Sequence, residues 1–137
     1  MKKIYSIVSI ALLAISIVSC ANLENESKIS TDSTVYATTE ELQRCIDCGF
    51  VDYNVSRYYA LSVLDSFSEE NGWQNAKLSQ QPVIIYNSKN KTPRYYEFQI
   101  LVKEKPVGAI SCVADKKEGL PVKYLLPFNS TVTENEN

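Results

Sequence analysis

The chain has 137 residues, a formal charge of −2, 45% apolar and 22% charged residues, which is room and composition for one globular domain. It contains no histidine and only four glycines. That excludes Ser-His-Asp and Cys-His catalysis, histidine metal sites and glycine-rich phosphate loops, and without a basic excess nucleic acid is not an expected partner.

The N-terminus reads as a targeting segment. Lys2 and Lys3 precede an apolar run from Ile4 to Val18. That run is too short for a ~30 Å bilayer core and has the length of a secretory signal core. Ile17-Val18-Ser19-Cys20 resembles a bacterial lipobox: branched apolar, small, then the cysteine whose thiol receives diacylglycerol. The resemblance implies that residues 1–19 are a lipoprotein signal peptide, that Cys20 is the lipid attachment site, and that the protein is lipid-anchored in the bacterial cell envelope, at the outer membrane or cell surface rather than the cytoplasmic membrane. The mature chain then carries 12 basic and 16 acidic side chains, a charge of −4, so its body is not expected to be drawn to an anionic membrane. Residues 20–37 are polar and short of large apolar side chains, which predicts a flexible tether.

The folded part is expected over 38–128. Thr38 with Glu41 makes a capping-box pattern, and Leu42, Cys45 and Ile46 share one face of a helix that stops at Gly49. A second helix is predicted to begin with Asn54 or Ser56 as its cap. Its apolar stripe is Val55, Tyr59, Ala60, Val63, Leu64 and Phe67, and Asn71-Gly72 ends it. From Pro82 the period changes to two. Strands are predicted over Val83–Tyr86, Arg94–Lys103, Val107–Val113 and Leu120–Leu126, and on the longest Tyr96, Phe98, Ile100 and Val102 point one way and Tyr95, Glu97, Gln99 and Leu101 the other. The fold class is therefore α+β, one or two helices packed on a four-stranded antiparallel β-meander. Residues 129–137 have no core-forming pattern and are expected to be a disordered tail.

Chemistry-bearing groups are few. Cys45-Ile46-Asp47-Cys48 is a CxxC at the end of a helix, where the dipole and Asp47 oppose thiolate. A structural pair fits better than a redox centre there. With Cys20 lipidated, three cysteines remain, so a Cys45–Cys48 disulfide and a link to Cys112 are both open. Glu40/Glu41 and Glu69/Glu70 are sequence neighbours that diverge by ~100° on a helix and do not face one site. No catalytic residue, metal or cofactor is expected, and the chain reads as a non-enzyme.

Five motifs together carry a resemblance: Ile85-Tyr86-Asn87, Tyr95-Tyr96-Glu97-Phe98, Val107-Gly108-Ala109-Ile110, Ala114-Asp115-Lys116-Lys117 and Pro121-Val122. Over about Val55 to Leu126 the chain resembles the pro-domains of the streptopain family of secreted bacterial cysteine peptidases and the stand-alone inhibitors related to them. Only a short tail follows the fourth strand here, so the resemblance implies an inhibitor that occludes the substrate cleft of such a peptidase. Candidate contact loops are Asn87 to Thr92, Glu104 to Pro106 and Asp115 to Gly119, with Asn87, Lys89, Asn90, Glu104, Lys105, Lys116 and Lys117 as their polar residues. The alternative is an envelope structural or ligand-sensing lipoprotein with a PepSY-like module and no protease partner.

Overall fold

The computed structural model describes residues 34–128. The signal segment, Cys20 and the tail lie outside the described residues. Two helices come first in the chain, α1 (Thr39–Asp47) and α2 (Tyr53–Glu70). Thr38 caps α1 as its sequence predicts: its hydroxyl accepts the Glu41 N–H, and the Glu41 carboxylate accepts the Thr38 N–H at 2.7 Å. Gly49, at φ +87°, takes the chain out of the helix in a conformation that favours glycine.

The start of α2 differs from expectation, and its inner face differs in part: Ala60, Leu64 and Phe67 are buried as expected, Val55 and Tyr59 are not. Its cap is Asp52, not Asn54 or Ser56; the Asp52 carboxylate accepts the Asn54 N–H at 2.9 Å. The buried stripe is Ser56, Ala60, Leu64, Phe67 and Ser68, while Val55 and Tyr59 are 49% and 41% exposed. The reason is close approach. Ser56 Oγ donates to the Val113 carbonyl at 3.4 Å, and the Cys112 thiol donates to the Ser56 carbonyl at 3.3 Å. Where the helix lies this near β4 it takes a small side chain, Ser56, and further along Leu64 and Phe67 fill the core.

Five antiparallel strands follow: β1 (Lys77–Leu78), β2 (Val83–Tyr86), β3 (Pro93–Val102), β4 (Lys105–Val113) and β5 (Val122–Pro127). β2-β3-β4-β5 is the expected meander, and short β1 shares the edge of β3 with β2. The fold is α+β. Tyr96, Phe98 and Ile100 of β3 and Ile110 and Cys112 of β4 are fully buried, and with Leu42, Cys45, Leu64 and Phe67 they form the core between sheet and helices. Gly108 belongs to the same packing. A Cβ there would stand 2.8 Å from the Trp73 ring and 2.8 Å from the Leu126 carbonyl oxygen, and Trp73 meets Phe67 edge-on with centroids 5.4 Å apart. The β3–β4 turn holds two consecutive non-glycine residues at positive φ, Lys103 at +50° and Glu104 at +63°.

Between β1 and β2 the edge of β3 is left open at Gln99, and Ser79 fills it. The Ser79 N–H donates to the Gln99 carbonyl at 2.8 Å, and the Gln99 N–H donates to Ser79 Oγ at 3.1 Å. The segment expected to end the tether enters the fold here. The Ala37 N–H donates to the Pro82 carbonyl, and Ala37 is buried. The Tyr36 hydroxyl donates to Gln99 Oε1 at 2.6 Å, and Gln99 Nε2 donates to Thr34 Oγ1 at 3.0 Å. Gln99 alternates with Phe98 and Ile100, so its side chain stands on the sheet face away from the helices. The N-terminal segment thus arrives on that outer face and turns inward at Ala37.

β5 forms the far edge. Phe128 N–H donates to the Val107 carbonyl, and register Gly108↔Pro127 continues through Ser111↔Tyr124. Tyr124 and Leu126 therefore turn their backbone groups toward β4, and Leu125 and Pro127 turn theirs outward. Lys123 is the extra residue where the register shifts beside Ser111 and Cys112. Among the described residues no strand pairs with the outer side of β5.

Candidate functional site

The candidate contact loops separate into two groups. β3 begins and β4 ends at the same end of the sheet, so the Asn87–Thr92 turn, with Asn87, Lys89 and Asn90, shares that end with the Asp115–Gly119 segment, with Lys116 and Lys117. Glu104 and Lys105 lie at the opposite end, in the β3–β4 turn. One surface cannot use both ends without wrapping the sheet.

The first end is rigidly built. Arg94 Nε donates to Glu118 Oε1 at 3.2 Å, and the Arg94 guanidinium lies 4.9 Å from the centre of the Tyr95 ring. The Tyr95 hydroxyl reaches Glu118 Oε2 at 3.4 Å, and Tyr95 meets Tyr124 edge-on at 5.8 Å. The Glu118 carboxylate raises the Arg94 guanidinium further above its usual range, and burial raises the Tyr95 phenol. Asp115 caps the short 3-10 turn Lys116–Glu118 by accepting the Lys117 N–H at 3.0 Å. The Val51 N–H donates to the Ala114 carbonyl at 2.8 Å, which pins the α1–α2 loop to the end of β4.

Between these parts lies a cleft of about 210 Å³ lined by Val51, Ser56, Tyr59, Val113, Lys116, Gly119 and Pro121. Ligand pockets for cofactors and small substrates run from roughly 300 to 1,000 Å³. This volume suits one inserted side chain of a partner. Its lining is apolar with a single formal charge, Lys116, so it has no acid–base pair for proton transfer. Of these residues only Lys116 and Gly119 fall in a loop singled out by sequence. The rest come from segments some sixty positions apart that only the α2–β4 contact brings together, and no local pattern marks them.

The cysteines do not form the CxxC bridge. Cys45 and Cys112 are free, buried thiols, while Cys48 is disulfide-bonded, so Cys45 is not its partner. The reason is the direction of Cys45. It faces the core beside the Tyr96 hydroxyl, which donates to the Val51 carbonyl at 2.6 Å. Cys48 is the cap residue of α1, outside that face. Burial raises the Cys45 thiol and pushes Cys112 up to about 12. Both stay protonated near neutrality, which disfavours thiolate chemistry.

Among the described residues no cluster of Cys, Asp and Glu could hold a metal ion, and no helix is long and apolar enough to cross a membrane. No family model matches the chain, and neither curated proteins nor solved structures contain a significant match.

Proposed function

We propose that this chain is a membrane-tethered, non-catalytic binding module, and that its partner is a secreted cysteine peptidase of the streptopain type whose substrate cleft it occludes. The observation that carries the reading is the end of the domain where α2, the close of β4 and the 3-10 turn meet. There a side-chain-sized apolar cleft is lined in part by Lys116 and Gly119 of the Asp115–Gly119 turn, which the Arg94–Glu118 pair holds, and the Asn87–Thr92 turn lies at the same end of the sheet. Such a surface suits contact with a protein and lacks the paired titratable groups of a catalytic site. The resemblance of the five strand motifs adds the peptidase as partner. The turns Asn87–Thr92 and Asp115–Gly119 are the contact elements in this reading. Glu104 and Lys105, at the far end, are not part of it.

The direct test mixes the mature protein with a streptopain-like peptidase, best one encoded beside it. Inhibition at micromolar concentration is expected, weakened by Lys116→Glu. Unchanged peptidase activity removes the inhibitor reading. Recovery of envelope components without a peptidase favours the structural or ligand-sensing alternative. The anchor is tested separately by the mass of the mature N-terminal peptide. A thioether lipid on Cys20 is expected; a mature N-terminus elsewhere with no lipid mass removes the anchor reading.

A further inference from the structure

Positive charge collects at the end of the sheet that carries the cleft. Of the eleven basic side chains in residues 34–128, six fall within 87–94 and 115–123: Lys89, Lys91, Arg94, Lys116, Lys117 and Lys123. The same stretches hold two acids, Asp115 and Glu118, so they carry a net charge of +4. The end stays positive when Asp47 and Asp52, which flank the α1–α2 loop, are counted with it. Each of these acids is already engaged. Asp115 and Asp52 cap their helical turns, Asp47 accepts from Gln43 Nε2 at 2.9 Å, and Glu118 holds Arg94 and Tyr95. Lys123 Nζ donates to the Glu118 carbonyl at 3.4 Å. The exposed ammonium groups of Lys116 and Lys117 have no hydrogen-bond or ion-pair partner among the described residues.

The cleft itself favours an apolar group. The buried Ser56 hydroxyl of its lining already donates to the Val113 carbonyl at 3.4 Å, and Val51, Val113 and Pro121 add only hydrocarbon side chains. A polar side chain inserted there would lose its water and gain no partner. Large apolar side chains also stand open at the rim. Leu120, between the lining residues Gly119 and Pro121, is 77% exposed, and Tyr58 and Tyr59 of α2 meet edge-on at 6.0 Å with Tyr58 71% exposed. Apolar surface left open and bordered by charge marks a protein contact.

We propose that this end of the domain receives an extended acidic segment of its protein partner, with one bulky apolar side chain of that segment filling the cleft. The proposal rests on the reading of this end as the contact surface and names the partner's chemistry there. Charge complementarity identifies the occupant. Lys116 is the one formal charge of the lining and Lys117 follows it, so carboxylates on either side of the inserted side chain meet ammonium groups open to solvent. A cavity of about 210 Å³ holds one side chain and no folded element, so the rest of the segment lies along the rim, over Leu120 and Tyr59. The basic end steers the encounter, and the buried side chain fixes the register.

The test titrates the mature chain, residues 20–137, with the heptapeptide Gly-Glu-Glu-Leu-Glu-Glu-Gly and follows backbone amide shifts by NMR. Shifts at Ser56, Val113 and Gly119 are expected, with binding weakened at 1 M salt, where the Debye length is ~3 Å. Serine in place of the leucine should weaken binding at least about tenfold, the effect of leaving one leucine side chain unburied. Lys116→Gln should weaken it about two- to fivefold, as loss of one exposed ion pair does. Tyr59→Ala should weaken the leucine peptide and not the serine one. Lys105→Gln removes the same charge as Lys116→Gln at the far end of the sheet and should leave binding unchanged. Four results overturn the proposal: no binding, equal binding of the leucine and serine peptides, shifts confined to residues away from the cleft, or equal weakening by Lys105→Gln. Peptidase inhibition without peptide binding also overturns it and leaves the inhibitor reading standing. Peptide binding without peptidase inhibition supports it and removes only the peptidase as partner.

Discussion

Cys112 lies under α2 with its thiol 3.3 Å from the Ser56 carbonyl, a place with nothing to solvate an anion. Burial pushes it up to about 12 from 9.0, and burial raises Cys45 as well. In the unfolded chain both ionise near 9, while the folded protein keeps their protons. The unfolded state therefore binds fewer protons above pH 9, and stability that is fully present below that pH is lost as pH rises through the window up to about 12. Each thiol contributes a slope of up to ~1.4 kcal/mol per pH unit. Urea unfolding at stepped pH should show a plateau up to about pH 8 and a fall beyond it, and Cys112→Ala should make the fall shallower. The same slope in that variant would show that Cys112 does not drive it. Gly108 offers a steric counterpart. A methyl group there meets the Leu126 carbonyl oxygen, which cannot move without breaking the β4–β5 ladder. Gly108→Ala should cost ~1–3 kcal/mol and shift the emission of Trp73, the only tryptophan. Phe67→Ala, which removes the ring that Trp73 meets edge-on, should cost roughly 3–5 kcal/mol by thermal melt, as should Phe98→Ala.

Among the elements, the β3–β4 turn is the one held against local preference. Lys103 and Glu104 both occupy the left-handed region, where a side chain costs about 1 kcal/mol or more and Asn-Gly is the favoured pair. Lys103→Asn with Glu104→Gly should stabilise the domain by ~1 kcal/mol, partly offset by glycine entropy, and raise the melting temperature by ~4–8 °C. A melting temperature at or below wild type would mean that the turn is not strained. The elements also divide by how far apart their causes lie in the chain. The capping box at Thr38 and Glu41, the stop at Gly49 and the alternation Tyr96, Phe98, Ile100 are set within a few residues, and they were legible in the sequence. The cap of α2 was not, and its face only in part: Ala60, Leu64 and Phe67 are buried as the periodicity predicts, while Val55 and Tyr59 are exposed. Asp52 precedes the apolar pattern, and the burial of Ser56 follows from the nearness of β4, which apolar periodicity does not encode. At two residues, β1 is too short to show a period. The entry of Thr34 to Ala37 through the gap beside Gln99 depends on partners more than forty positions away. The cleft failed to show for the same reason, since Tyr59 looked like core and proved to be rim.

At the scale of the molecule, the core and the proposed contact surface fall on different residues. Lys116 is exposed at the cleft, and Lys116→Glu should leave stability within about 0.5 kcal/mol while weakening binding of the partner. A melt that drops with binding would place Lys116 in the structure and not in the contact. The open side of β5 has a different consequence. Lys123 interrupts its register, and Pro127 stands where an outward N–H would be, leaving Leu125 between them as an available rung. Under the proposed lipid anchoring, copies on one surface would meet far more often than copies in solution, and an unbroken apolar edge would let them zip into an extended sheet. The bulge and the proline act as terminators against that growth. Pro127→Val should restore the missing donor without disturbing β4, and turn a stable solution of the protein into one that forms thioflavin-positive assemblies on vesicles before it does so in buffer. Equal lag times for wild type and variant would mean that the edge is guarded elsewhere.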